Sequence, residues 1–184
     1  MVLAEAYANV GDAEQAEPLL KQLAQKLPDE AAAIRARLLF QRGDVDAAAA
    51  AAQAVFIAHR QQPWSSALVL RRAVALAYEI AQRAPQHVPG LVDALAEPVS
   101  VHLVDRVRAD VRFRIALMAP DPALCVAALQ SYEPFPDWER DFLEKRVACY
   151  RDAQDPRFAR AEAELLEYYD NEGQTVGQHL VPAP

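Results

Sequence analysis

Residues 3–28 contain two amphipathic segments separated by a Gly-Asp pair, and this pattern constrains the fold more than any other stretch of the chain. The apolar positions before the pair are Leu3, Ala4 and Tyr7, and those after it are Ala16, Leu20 and Leu23. Both sets follow the 3.6-residue period of an α-helix, and Pro28 ends the second set. The segment is therefore predicted to form a helical hairpin.

The same arrangement recurs 32 residues later, where Gly43-Asp44 repeats Gly11-Asp12. Glycine suits a tight turn because it adopts backbone conformations that other residues avoid. Asp44 is also predicted to cap the N-terminus of the helix that follows it. Weaker copies of the spacing occur around Tyr78 and Tyr150. The chain is thus predicted to be an array of hairpins that becomes less regular towards its C-terminus.

The first hairpin resembles a tetratricopeptide repeat, which has a Leu-small pair, a Tyr three residues on, a later Ala, a large apolar residue and a closing Pro. It departs from that pattern where Ala4 replaces the usual Gly and where Pro18 falls inside the second helix. The resemblance implies an all-α fold in which antiparallel helical hairpins stack as an α-α superhelix of about ten helices.

Prolines divide the chain into short helical segments. Residues 1–62 are interpreted as two repeats of this type, residues 63–172 as degenerate hairpins that continue the same array, and residues 173–184 as a C-terminal tail. The last helix is expected to end near Asn171. Because the sequence opens inside a repeat, it is interpreted as a piece of a longer protein.

The net charge of −7 disfavours a phosphate-binding surface, so no nucleic-acid partner is expected. The basic residues concentrate at Arg106, Arg108, Arg112 and Arg114, and the interleaved Asp105 and Asp110 favour ion pairs within one helix. The sequence shows no signal peptide and no membrane-spanning segment, which predicts a cytoplasmic protein that does not bind membranes. Cys125 and Cys149 are expected to be buried reduced thiols, with a disulfide as the alternative in an oxidising compartment.

No catalytic or metal-binding motif is present. The four histidines are scattered without ligand spacing, and the sequence contains neither a Gly-rich phosphate loop nor a nucleophile motif. We therefore expect no enzyme activity, no metal and no cofactor. Trp64 and Trp138 each lie near a helix start and are expected to be anchored in the core rather than to bind a ligand.

In tetratricopeptide arrays, the first helices of successive hairpins line a concave surface that binds peptides. The resemblance places seven residues on that surface: Glu5, Asn9, Arg37, Phe40, Gln41, Arg72 and Glu79. Phe40 is expected to be an exposed aromatic side chain in this groove. Some members hold a C-terminal carboxylate with a Lys and Asn clamp, but the equivalent positions here are Met1, Glu5 and Ile34. Glu5 would repel a carboxylate, so that binding mode is disfavoured.

Three hypotheses follow for the function. The first is a non-catalytic scaffold that binds a peptide or protein segment in a concave helical groove. The second is a regulatory or substrate-recruiting domain excised from a larger enzyme. The third is a module that forms a homodimer through an uncapped edge of the array.

Overall fold

The structure is a computed structural model that describes residues 1–60 and 66–178, the last six by backbone alone. Within these residues the fold is all-α and contains no strand, as predicted. Two short 3₁₀ helices, Pro85–His87 and Gln130–Tyr132, accompany ten α-helices. The α-helices are α1 (Val2–Asn9), α2 (Ala13–Ala24), α3 (Pro28–Gln41), α4 (Val45–His59), α5 (Ala67–Arg83), α6 (Val88–Ala94), α7 (His102–Ala116), α8 (Pro122–Leu129), α9 (Arg140–Asp152) and α10 (Phe158–Gln178).

The first two hairpins turn in the same way. Gly11 and Gly43 have φ angles of 75° and 84°, in the left-handed region that favours glycine. The next residue, Asp12 or Asp44, caps the following helix by accepting a backbone N–H hydrogen bond, from Gln15 at 3.1 Å or from Ala47 at 3.3 Å. The predicted cap at Asp44 is therefore confirmed.

The chain divides into two compact units, Met1–Pro120 (unit 1) and Asp121–Pro184 (unit 2). In unit 1, the first helices of successive hairpins contact one another in series: α1 contacts α3, α3 contacts α5, and α5 contacts α7. Small side chains at Ala4, Ala8 and Ala16 are fully buried beside Leu20 and Ile34, which lets the helix backbones approach closely. This stacking brings α1, α3 and α5 side by side.

Two arginines of α7, Arg108 and Arg112, are buried in the interior of unit 1. The side chain of Arg108 is buried and donates hydrogen bonds to the carbonyl oxygens of Leu95 and Ala96, just after α6. It also pairs with Asp105 at 2.7 Å, and Arg106 pairs with Asp110 at 3.2 Å. The predicted ion pairs within this helix are therefore confirmed.

In unit 2, a disulfide joins α8 to α9. Cys125 and Cys149 are both buried and their Cα atoms are 5.9 Å apart. The expectation that these cysteines are reduced thiols is therefore wrong. Their pairing depends on how α8 packs against α9, which the separate sequence segments do not reveal.

A buried arginine organises the rest of unit 2. Arg146 is 1% exposed, and its guanidinium donates hydrogen bonds to Glu133 at 2.8 Å and Glu164 at 2.5 Å. Burial lowers the pKa of Arg146, but the hydrogen bonds to the two carboxylates outweigh burial and raise it overall. Tyr150 donates a third hydrogen bond to Glu133, at 2.7 Å. The network ties α9 to α10 and to the turn before α9.

Two further expectations differ from the structure. Trp138 is 46% exposed, so its predicted role as a core anchor is wrong, whereas Trp64 lies outside the described residues. The last helix continues to Gln178, beyond its predicted end near Asn171, because residues 172–178 contain no proline to stop it. In the part of the chain that the structure describes, every helix is too short or too polar to cross a membrane.

Candidate binding groove

A cavity of about 200 Å³ opens between α1, α3 and α5 of unit 1, and we call it the α1–α3–α5 groove. Its floor is apolar and its rim is polar. The floor residues are Ala33, Ile34, Val69, Ala73 and Leu76, and the rim residues are Glu5, Asn9, Arg37 and Arg72. Pockets for small-molecule ligands usually measure about 300–1,000 Å³, so this groove suits one large side chain better than a whole cofactor.

Two ion pairs cross the rim of the groove. Arg37 binds Glu79 through two hydrogen bonds of 2.6 and 2.9 Å, which join α3 to α5. The Glu5 carboxylate forms an ion pair with the Arg72 guanidinium and so joins α1 to α5. Half of the Arg72 side chain remains exposed. Because the Glu5 side chain is only 15% exposed, its carboxylate needs Arg72 as a partner, and a ligand acceptor can bind only the part of Arg72 that remains exposed.

The structure brings together most of the residues predicted for the groove. Glu5, Asn9, Arg37 and Arg72 line the cavity, and Glu79 lies at its edge as the partner of Arg37. These residues are up to 74 positions apart in the sequence, and the register of the repeats alone placed them on one surface.

Phe40 and Gln41 differ from the other predicted groove residues. The side chain of Phe40 is buried, with only 8% exposed, and the Arg83 guanidinium lies 5.5 Å from the centre of its ring. The expectation of an exposed aromatic side chain is therefore wrong, because Arg83 at the end of α5 covers it. Gln41 is exposed at the end of α3 and packs beside the Gly11 turn, outside the cavity.

None of the five floor residues was predicted to lie in the groove, and Ile34 was named only as a position of the missing carboxylate clamp. A signal was available, since Ala33 and Ile34 precede Arg37 by one helical turn and Val69 and Leu76 flank Arg72 at similar spacing. The apolar residues one turn from each predicted polar groove residue thus mark the floor.

Glu5 is not the free carboxylate that was expected from the sequence. Its carboxylate is mostly buried and is compensated by Arg72, so it does not present a free negative charge to a ligand. The repulsion expected from Glu5 alone is therefore offset within the groove itself.

The chain was compared with known proteins, and no protein-family model, curated protein or solved structure matches it. Among the described residues, no group of three or more His, Cys, Asp or Glu side chains is arranged to hold a metal ion. The class that the fold defines is an all-α protein, in which the first helices of successive hairpins contact one another within unit 1. A more particular identity does not follow from likeness to known proteins.

Proposed function

We propose that the protein is a non-catalytic scaffold whose α1–α3–α5 groove binds a segment of a partner protein. One observation carries the proposal: polar residues from three helices that are distant in sequence surround an apolar floor of the size of one side chain. The stacking of α1, α3 and α5 is also what a tetratricopeptide-like array requires.

The chemistry of the groove indicates what the segment offers. An apolar side chain of the partner enters the cavity over Ala33, Ala73 and Leu76, since water leaves an apolar floor readily. The carbonyl groups or a carboxylate of the partner then accept hydrogen bonds from Asn9 and Arg72 at the rim. The specificity comes from this combination of one apolar side chain and flanking acceptors.

Two substitutions test the groove, each with a matched control. Ala73→Leu fills the cavity, and Ala75→Leu places the same side chain on the exposed face of the same helix. Arg72→Ala removes the rim guanidinium, and Arg71→Ala removes an exposed neighbour that does not line the cavity. Peptides are first selected against the wild-type protein from a phage-displayed 12-residue library, and their affinities are then measured by fluorescence polarisation.

We expect Ala73→Leu to weaken peptide binding by tenfold or more. Arg72→Ala should weaken it by at least about tenfold, because one charged hydrogen bond contributes about 1.5–3 kcal/mol. The two controls should stay within twofold of the wild type. Equal affinities for Ala73→Leu and Ala75→Leu, with unchanged melting temperatures, would show that the groove is not the binding site.

Self-association remains a second candidate because a specific surface favours it. The outer face of α1 exposes Val2 at 76% and Leu3 at 64%, beside a cleft that α1 forms with Leu23 and Leu27. Exposed apolar side chains next to an apolar cleft favour burial against another protein surface, here that of a second copy. Sedimentation equilibrium tests for self-association. A protein that stays monomeric at high concentration eliminates this hypothesis, and a dimer that dissociates when Leu3 is replaced in Leu3→Glu supports it.

The recruiting domain of a larger enzyme is a version of the same proposal, since the groove would then capture a substrate of that enzyme. The cellular location is proposed separately. The sequence favours the cytoplasm, whereas disulfides are typical of oxidising compartments. Lysing the cells in acid, which preserves the thiol state, and labelling the denatured protein with a maleimide distinguishes the two, because only cysteines that were free react once unfolding exposes them.

A further inference from the structure

The net negative charge of the chain arises entirely from unit 2. Unit 1 contains thirteen acidic and thirteen basic residues, whereas unit 2 contains thirteen acidic and only six basic residues. Unit 2 therefore carries the full charge of −7 on about one third of the chain. A concentration of charge of one sign attracts partners of the opposite sign and speeds their association.

Unit 2 also exposes aromatic side chains in one region. In the turn before α9, Phe135 is 87% exposed and Trp138 is 46% exposed. Pro134 and Pro136 flank Phe135 and restrict the backbone on both sides of it, so little entropy is lost when the ring contacts a partner. Exposed aromatic residues of this kind are enriched at protein interfaces.

Aromatic side chains of this turn and of α10 lie close to one another. The Trp138 ring lies 6.3 Å from the Tyr168 ring, and the Tyr168 ring lies 6.2 Å from the Tyr169 ring. Glu172 is one helical turn after Tyr168, and Leu166 is one turn before Tyr169. We call Phe135, Trp138, Glu139, Tyr168, Tyr169 and Glu172 the acidic-aromatic surface.

The surface already holds one arginine of the chain itself. The Arg140 guanidinium lies 5.4 Å from the centre of the Tyr169 ring and donates a hydrogen bond of 2.9 Å to Glu144. Glu144 also accepts a hydrogen bond of 2.7 Å from the Tyr169 hydroxyl. A cation above an aromatic face with a carboxylate beside it is a favourable site for guanidinium or ammonium groups.

Exposed carboxylates near the acidic-aromatic surface make no ion pair with a cation of the chain. Among the described residues of α10 and of the turn before α9, there are five of them: Glu139, Glu162, Glu167, Asp170 and Glu172. Glu139 directly follows Trp138, and Glu162 shares a face of α10 with Leu166 and Tyr169. Carboxylates without a cation thus lie close in sequence to Trp138 and on the α10 face that carries Tyr169.

We propose that the acidic-aromatic surface of unit 2 binds a lysine- and arginine-rich segment of a partner protein. The cationic side chains stack on Phe135, Trp138 and Tyr168 and pair with Glu139 and Glu172, while apolar residues between them contact the ring edges. This site is separate from the α1–α3–α5 groove, which lies in unit 1 and whose charges are balanced.

The test uses the full chain and a fluorescein-labelled (Arg-Leu-Lys)₄ peptide, with a (Glu-Leu-Glu)₄ peptide as the control ligand. Binding is measured by fluorescence polarisation in 0.15 M and 0.5 M NaCl. We expect the basic peptide to bind and the acidic peptide not to bind. Salt should weaken binding without abolishing it, because the aromatic contacts are not screened.

Two variants of the surface are compared with two matched controls. The double variant Phe135→Ala with Trp138→Ala should weaken binding of the basic peptide at least tenfold. Its control, Ile57→Ala, truncates an exposed apolar residue of unit 1 and should weaken binding less than twofold. Glu139→Gln with Glu172→Gln should weaken it about fivefold. Glu14→Gln with Glu97→Gln makes the same change of net charge on unit 1 and should leave affinity within twofold.

A direct signal comes from Trp138 in a Trp64→Phe chain, where it is the remaining tryptophan. Its emission should change as the basic peptide binds. The proposal is overturned if that emission stays constant at saturation, or if the aromatic variant binds as the wild type does, since attraction would then be to net charge alone. It is also overturned if sedimentation shows that these substitutions abolish a dimer instead, because the surface would then belong to a second copy.

Discussion

Reducing the disulfide between Cys125 and Cys149 should destabilise unit 2 much more than unit 1. The two cysteines are 24 positions apart, so the bond closes a loop of about 25 residues in the unfolded chain. The loss of chain entropy on closing such a loop corresponds to about 3.5 kcal/mol at 25 °C. A unit of about 60 residues has a total stability of roughly 3–9 kcal/mol, so the bond supplies a large part of it.

The assay is urea unfolding of the Trp64→Phe chain, followed by the emission of Trp138 with and without a phosphine reductant. With a slope of about 1 kcal/mol per molar urea for so small a unit, reduction should lower the midpoint by about 3.5 M. Trp138 reports on unit 2 because its ring contacts Tyr168 on α10 in the folded state. Mass spectrometry after alkylation confirms that the reduction is complete.

The Cys125→Ala and Cys149→Ala double variant is the control. It should unfold at the midpoint of the reduced wild type and should not respond to reductant, because both samples lack the same cross-link. A reduced protein whose midpoint falls by less than 0.5 M would refute the reasoning, since the loop entropy would then be offset by structure that persists in the unfolded chain.

Three further predictions concern single residues. Arg146→Ala should lower the free energy of unfolding of unit 2 by about 3–5 kcal/mol in urea, because it leaves two carboxylates without their buried partner. Its control, Arg151→Ala, changes an exposed residue and should cost less than about 0.5 kcal/mol. Equal effects of the two substitutions would show that the hydrogen bonds of Arg146 do not stabilise unit 2. A hydrogen bond from Arg157 lowers the pKa of Asp155 to about 2, so its contribution to stability is present above pH 4 and disappears as the pH falls through 2. The difference in urea midpoint between the wild type and Asp155→Asn should therefore vanish at pH 2, and a constant difference would argue against the shift. Gly43→Ala should lower the free energy of unfolding, measured by calorimetry, by about 1–2 kcal/mol. The φ of 84° is strained for alanine, although no neighbouring atom crowds the added methyl group. An unchanged melting temperature would mean that the turn rearranges.

Much of the groove was predictable because the repeats fix a register. Once Gly11 and Gly43 align, the positions of Glu5 and Arg37 on their helices are equivalent, whereas Arg72 lies in the third, degenerate copy, one helical turn before the position equivalent to Glu5. The helices pack in sequence order, so equivalent positions lie side by side. The local pattern thus predicted which polar residues meet around the cavity, although not that they form ion pairs there.

The exposure of individual large side chains was not predictable in the same way. Phe40 is covered by Arg83, a residue 43 positions later, whereas Trp138 stays half exposed on a turn where a core position was expected. Whether a ring is buried depends on which distant side chain lies over it. Neither the period nor the composition of the local segment contains that information.

The sequence by itself determined the helices, the turns at Gly11 and Gly43 and the caps at Asp12 and Asp44, because these features depend on residues within a few positions of one another. Only the tertiary structure decided that Cys125 pairs with Cys149 and that Arg146 is buried between two glutamates. Those contacts join segments whose separation in space is set by helix packing. Interactions between residues close in sequence determine where a helix forms, whereas the packing of many side chains determines which helices lie next to one another.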